Sequence, residues 1–135
     1  MNYYRAWTPD AALTAMWAAE SRRPFLITEW YAKAEDSGLG NTGGAGWLVR
    51  TQKDRGLYYQ HFALSLLADP GCVGWHWFRY SDNDPDDRKV DPSNRDSNKG
   101  MVTSRYVPYA PLTEAMTELN RRSYGLREKA LKQAR

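Results

Sequence analysis

Apolar positions along the chain fall into three helical stripes separated by two short, nearly continuous apolar runs. The first stripe is Leu13, Met16 and Trp17, just after Thr8-Pro9-Asp10. Its i, i+3, i+4 spacing predicts a helix with Thr8 as N-cap, Pro9 in the first turn and Asp10 at the positive end of the dipole. Ser21-Arg22-Arg23-Pro24 closes that helix. The second stripe, Leu57, Tyr58, Phe62 and Leu66, lies in a helix from Thr51 to Ala68 that Asp69-Pro70-Gly71 ends. The third, Leu112, Ala115, Met116 and Leu119, belongs to a helix opened by Pro111. Gly125 is expected to stop it, leaving Leu126 to Arg135 as a charged, frayed extension.

The apolar runs read as strands. Pro24-Phe25-Leu26-Ile27-Thr28-Glu29-Trp30-Tyr31 suits a strand buried on both faces, with Phe25, Ile27 and Glu29 on one side. Cys72 to Phe78 is the second. Two strands joined by a helix make a β-α-β unit, hence parallel pairing with a right-handed crossover. Met1 to Trp7 reads as the end of a further strand. The fold class is therefore α/β without internal repeat. Two strands and a stub leave long apolar edges uncovered, so the chain reads as part of a larger parallel architecture that self-associates when isolated.

A length of 135 residues, 41% hydrophobic and 26% charged, is that of one ordinary domain. Six Trp and nine Tyr are numerous, and many lie near strand ends and loops, which favours a ligand with flat apolar faces. The net charge of +3 resides in the tail: residues 121–135 hold six basic side chains and one acid, a local +5, so the remainder sums to −2. A basic tail on a near-neutral body argues against nucleic-acid binding. No run reaches the length of a membrane span, and the N-terminus has no charged-then-apolar leader; localisation is not encoded here. Cys72 is the only cysteine and excludes an intrachain disulfide.

Glu29 is the strongest candidate for a reacting group. A carboxylate at the C-terminal end of a buried strand stands where parallel α/β architectures mount chemistry. In retaining glycoside hydrolysis one carboxylate attacks the sugar carbon while a second carboxyl, about 5 Å away, protonates the leaving oxygen. Tyr3, Tyr4, Tyr31 and His76 are candidate donors to it. Trp30, Trp47, Trp75 and Trp77 could stack on sugar rings or pack the core, with Trp77 favoured as the sugar platform because it is nearer the strand's C-terminal end. Five glycines between Ala34 and Gly46 mark either a flexible connector or backbone passing close to a ligand. No Gly-Lys-Ser/Thr follows, so a phosphate-binding loop is rejected. The Asp82-x-Asp84-x-Asp86 spacing resembles the start of a calcium loop but lacks its glycine and its twelfth-position glutamate. Asp82, Asn83 and Asp84 are taken instead as sugar-hydrogen-bonding residues in a long loop from Arg79 to about Val107. His61 and His76 lack a Cys or His partner at ligand spacing, which argues against zinc, and no serine sits in a nucleophile turn. No metal or cofactor is expected.

The stretches NYYRAWTP, PFLITEWYAK, TQKDRGLYYQHF and GWHWFRYSDNDP…DSNKG resemble the last third of a clan A glycoside hydrolase barrel, agarase-type members above all. The resemblance covers residues 1 to about 124, with 125–135 left as the charged tail. It implies a partial TIM barrel, the last β-α units of an eight-stranded one. Glu29 would be the nucleophile ending strand seven, Tyr3 or Tyr4 the aromatic hydroxyl of strand six that supports it, and GWHWF strand eight. The substrate implied is a galactan-type polysaccharide or oligosaccharide. The general acid/base of that clan is a glutamate ending strand four; Glu20, Glu35, Glu114, Glu118 and Glu128 fit no such place. The resemblance thus implies a C-terminal portion with the nucleophile but without the proton donor, inactive alone, or else a sugar-binding remnant or an interaction protein pairing through its sheet edges.

Overall fold

A computed structural model describes residues 1–4 and 6–133. Arg5 of the expected strand stub and the last two residues of the expected tail lie outside the described residues. The element order is α1 (Ala11–Ser21), β1 (Phe25–Ile27), β2 (Ala32–Ala34), β3 (Trp47–Val49), α2 (Gln52–Ala68), β4 (Cys72–Trp75) and α3 (Ala110–Gln133), with 3-10 turns at Glu35–Ser37 and Pro92–Asn94. This is a mixed α/β fold with parallel strands, as the apolar pattern predicts.

β1 and β4 run parallel, pairing Phe25 with Cys72, Leu26 with Gly74 and Ile27 with Trp75. The step from Cys72 to Gly74 opposite adjacent residues is a bulge, and it pushes Val73 out to 65% exposure. Pairing continues beyond the short strands: His76 N–H donates to Ile27 O at 2.8 Å and Phe78 N–H to Trp30 O at 3.0 Å. On the other side Asn2 bridges Glu29 in parallel, and Tyr3 N–H donates to Glu29 O at 2.8 Å. The N-terminal segment, β1 and β4 therefore lie side by side in that order. The parallel pair β2–β3 was not legible in the sequence, because three-residue strands beside a glycine-rich loop carry no period.

The helices form mostly where the stripes place them, with three differences. Asp10, not Thr8, caps α1: its carboxylate accepts from Ala12 N at 2.9 Å and Leu13 N at 3.2 Å. A charged acceptor at the dipole's positive end outcompetes a hydroxyl, and the Thr8 side chain shares a hydrogen bond with Ser65 instead. With the start moved, Met16 is half exposed while Thr14 is buried. α2 starts as expected, with a capping box between Thr51 and Asp54. Its buried face is Arg55, Tyr58, Tyr59, Phe62, Ala63 and Leu66, whereas Leu57 faces out. Gly125 does not stop α3. Nothing lies near the space its side chain would occupy, so its cost of about 1 kcal/mol is the intrinsic one. Beyond it Leu126 packs against the core, and the Arg127 guanidinium donates to the carbonyls of Asp69 at 3.2 Å and Pro70 at 3.3 Å. That cation at the C-terminal end of α2 is favoured by its dipole.

Trp30 is the centre of the core, fully buried, stacked on Phe62 at 4.2 Å and on Tyr59 at 5.4 Å between ring centroids. α2 and α3 pack closely because Gly56 has no side chain: a Cβ there would lie 2.8 Å from Ala115 Cβ and 2.9 Å from Pro111 O. Gly56→Ala therefore sets a propensity gain of about 1 kcal/mol against overpacking that costs about 1–3 kcal/mol. Because one of the atoms in the way is backbone, the second effect wins. A lower urea midpoint for Gly56→Ala is expected; a higher one would mean the α2–α3 contact is looser than described.

Candidate active site

Alternation along the N-terminal segment sends Tyr3 and Tyr4 to opposite faces of the sheet. Tyr3 enters the core between Trp17 and Phe62, each 5.7 Å away, and its hydroxyl accepts from Asp10 N–H at 2.6 Å. Tyr4 faces the other way, where its hydroxyl donates to Glu29 Oε2. The same oxygen accepts from Asn2 Nδ2 at 2.9 Å. Thr28 Oγ1 donates to Asn2 Oδ1 at 2.7 Å, which fixes the amide with its N–H group toward Glu29. Glu29 is half-buried, at the end of β1, with two donors on one oxygen. Burial, and then the Glu29 carboxylate, hold the Tyr4 phenol well above the ordinary tyrosine range. Of the two tyrosines expected to support Glu29, only Tyr4 does. Asn2 was missed, although an asparagine two residues before Tyr4 on an extended stub shares its face.

Tyr31 is 3% exposed and meets Tyr4 edge-on at 5.6 Å and Phe78 at 5.9 Å. The glycine-rich loop closes around it. A Cβ at Gly46 would lie 2.5 Å from the Tyr31 ring, and one at Gly44 (φ +86°) 2.5 Å from Ser97 Oγ. The same loop is clamped from both sides. Lys33 Nζ donates to the carbonyls of Gly43 at 2.8 Å and Asn41 at 3.2 Å, and Asp96 accepts from Thr42 N at 2.9 Å and Thr42 Oγ1 at 2.7 Å. The Thr42 hydroxyl holds the Asp96 carboxyl below its ordinary range. Gly44 and Gly46 thus admit the ring of Tyr31, while Gly40 lets the backbone pass Asp96.

Alternation predicts Phe25, Ile27 and Glu29 on one side, but Phe25 and Ile27 lie in the core layer with the indoles of Trp30, Trp75 and Trp77. Trp30 rather than Glu29 turns into the core, while Glu29 meets Tyr4 and Asn2 on the other face. Trp30 is sealed in the core. Trp75 Nε1 donates to Tyr59 Oη at 2.9 Å, and Trp77 Nε1 donates to Lys99 O at 2.8 Å. The Trp77 ring meets Trp30 edge-on at 5.2 Å, with the Arg55 guanidinium 5.4 Å from its centroid. Trp30, Trp75 and Trp77 are therefore packing residues of the helix-facing layer and not neighbours of Glu29. The bulge at Val73 sets that register. His76, between Trp75 and Trp77, is exposed and alternates toward the Glu29 face, as does Phe78, which the sequence did not single out. Trp47 lies elsewhere, stacked on Trp7 beside Tyr58.

The Asp82 carboxylate is 4% exposed and fully engaged. It accepts from Lys99 N at 2.8 Å, Gly100 N at 2.6 Å, Asn98 Nδ2 at 3.0 Å and Tyr109 Oη at 2.6 Å. Asn83 is buried and donates to Asn94 O at 3.2 Å, while Asp84 is exposed and accepts from Asp86 N at 3.0 Å. Asp82 and Asn83 organise the loop from inside and are not presented to a sugar. No group of three or more His, Cys, Asp or Glu among the described residues is placed to hold a metal ion. Next to this cluster Arg55 is completely buried, donating to Ala32 O at 2.7 Å, Gln52 Oε1 at 2.7 Å and Gly100 O at 2.9 Å. Burial pulls it down to about 10, and burial with Arg79 nearby pulls Lys99 down to about 8.

No protein-family model matches the chain. Beta-agarase B of Vibrio sp. (strain JT0107) is 34% identical over 128 residues, 93% of this chain and 13% of its own length. Beta-agarase A of the same strain is 32% identical over 123 residues, 86% of this chain and 12% of its own. The crystal structure of BpGH50 superposes with a TM-score of 0.85 at 40% identity, over 96% of this chain and 26% of that one. The agarase AgWH50C gives a TM-score of 0.77 at 25% identity, over 93% of this chain and 19% of that one. The chain spans about an eighth of the length of the curated relatives it matches. The resemblance to agarase-type glycoside hydrolases is borne out over nearly the whole sequence.

The Tyr4–Glu29 pair is directly measurable. Glu29→Gln removes the carboxylate that helps keep the Tyr4 phenol protonated, so Tyr4 should ionise at lower pH in the variant than in the wild type. Site-resolved NMR titration of tyrosine above pH 9 follows this, and an unchanged Tyr4 curve would mean burial alone sets it.

Proposed function

We propose that this chain, similar to a segment of β-agarases over nearly its whole length, is the C-terminal portion of a retaining galactan hydrolase, with Glu29 as its nucleophile. Residues 1–124 form the last β-α units of a (β/α)8 barrel, and 125–135 are a charged tail, of which 125–133 continue α3. The observation that supports this best is the setting of Glu29. It ends a parallel strand, faces away from the helices, and accepts hydrogen bonds from Tyr4 and Asn2. Two donors on one oxygen hold and orient the carboxylate that must attack the anomeric carbon, and they leave Oε1 for the sugar.

In this scheme Glu29 forms the glycosyl ester as the leaving oxygen takes a proton from a second carboxyl. That donor lies outside these 135 residues, and general acid help is worth about 10²–10⁴-fold. Tyr4 and Asn2 hold the nucleophile, Tyr31 and Phe78 wall the site, and His76 on the same face is available to sugar hydroxyls. A polysaccharide of galactan type is the partner.

The outer face of β4 supports the same view. Beside it, Tyr59, Trp75, Met116, Tyr124 and Arg127 line an open apolar groove, and Tyr124 is 91% exposed. Such a face calls for the rest of a barrel wall or, in its absence, a second copy.

Two outcomes are expected. Alone, the chain should leave an aryl β-galactoside and agarose intact; supplemented with an N-terminal half-barrel it should turn over, and Glu29→Gln in that mixture should lose at least 10³-fold. Full activity of Glu29→Gln would end the proposal. Light scattering should show concentration-dependent association that the added half-barrel suppresses, whereas a monomer at every concentration would contradict the open-edge argument.

A further inference from the structure

Trp7 and Trp47 lie apart from the Glu29 face. Their rings are near-parallel, 7° between planes, with centroids 5.5 Å apart. Aromatic planes in contact sit about 3.5–4.0 Å apart, so the two rings are slid sideways and part of each face is left uncovered. Trp7 is 50% exposed and Trp47 36%. Exposed indoles usually move, but these are braced. Tyr58 meets Trp7 edge-on at 5.5 Å, the Tyr58 hydroxyl donates to Ala6 O at 2.9 Å, and Thr8 Oγ1 bonds Ser65 Oγ at 2.9 Å. Trp47 is fixed in β3 opposite Ala32.

A groove of about 380 Å³ opens beside the stack, floored by Trp7, Val49, Leu57 and Tyr58 and edged by Asp54 and His61. Asp54 uses Oδ2 for the Thr51 backbone and hydroxyl, which leaves Oδ1 for a ligand. We propose that the Trp7–Trp47 stack and this groove form a second binding platform for a galactan chain, outside the Glu29 cleft. The indole faces take the C–H faces of pyranose rings, and Asp54 and His61 take their hydroxyls. The groove is of small-ligand size, roughly 300–1,000 Å³, and two indoles with Leu57 fall short of the about 800 Å² per partner of a stable protein interface. The platform is carried on the same segments as the site: Trp7 lies three residues after Tyr4, and Trp47 pairs with Ala32, next to Tyr31.

The choice of galactan rests on the functional proposal above, and the experiment separates the two. The full chain is passed over agarose beads and, as comparator, dextran beads, at high salt so that net charge is screened. Retention on agarose but not dextran is expected. Trp7→Ala should weaken it at least fivefold and the exposed His61→Ala two- to fivefold. A galacto-oligosaccharide should still shift the Tyr4 NMR signal in both variants. Equal retention of wild type and both variants, no retention of the wild type, or equal retention on dextran each overturns the platform. If Trp7→Ala does not fold, His61→Ala and Leu57→Ser decide. Retention that depends on Trp7, in a chain that never turns over with the half-barrel, would sink the hydrolase and leave the platform standing.

Discussion

Arg55 brings a full positive charge into the core and binds it to oxygens of three different segments. Its guanidinium ties α2 to the carbonyl of Ala32 in β2 and to that of Gly100 in the long loop, and closes on Gln52 within its own helix. Breaking a buried, hydrogen-bonded charge costs several kcal/mol, about 3–5 when one partner is removed. Much else depends on this junction. Gln52 Nε2 donates to Asn98 Oδ1 at 2.8 Å, and Asn98 in turn bonds Asp82. Asp82 gathers Gly100 N and Tyr109, so the loop returns to the start of α3. A loop whose regular structure among the described residues is one 3-10 turn, Pro92–Asn94, is thereby tied down by side-chain hydrogen bonds. Most of its buried polar groups are paired, Arg95 Nε and Ser97 Oγ being exceptions, and that pairing is the condition for burying it.

The glycine-rich loop works by the same logic with opposite chemistry. Carbonyls of Asn41 and Gly43 converge on the Lys33 ammonium, and Asp96 reaches the other side of the turn. What this geometry achieves is a slot for Tyr31, whose ring backs Tyr4, whose hydroxyl in turn reaches Glu29. The candidate nucleophile is thus held by a row of contacts that begins at two glycines and a lysine with no role in bond making.

The parts of the fold legible in the sequence were those with a period. The stripes of α2 and α3 and the apolar runs around Phe25 and Cys72 gave the α/β class and the parallel pairing, because burial repeats at 3.6 or 2 residues. Glu29 stood out for a related reason, as a charge at the end of a buried run. What was not legible depends on single atoms. The bulge at Val73 shifts every later side chain by one place, and it turned Trp75 and Trp77 toward the helices although nothing in Cys-Val-Gly-Trp marks it. Asp82 looked like a ligand because acid spacing is visible and four distant donors are not. Arg55 interrupts an apolar stripe with no sequence signal of its role, since two of its three partners are backbone oxygens contributed by other segments.

Arg127 gathers the last carbonyls of α2 from sixty residues along the chain, past a glycine that the helix tolerates. The end of one helix is therefore finished by a side chain of another. Such ends do not fray separately. Amide protons in the final turn of α2 and around position 127 should belong to a single opening unit, with one exchange free energy between them, and a chain cut at Gly125 would expose both ends at once.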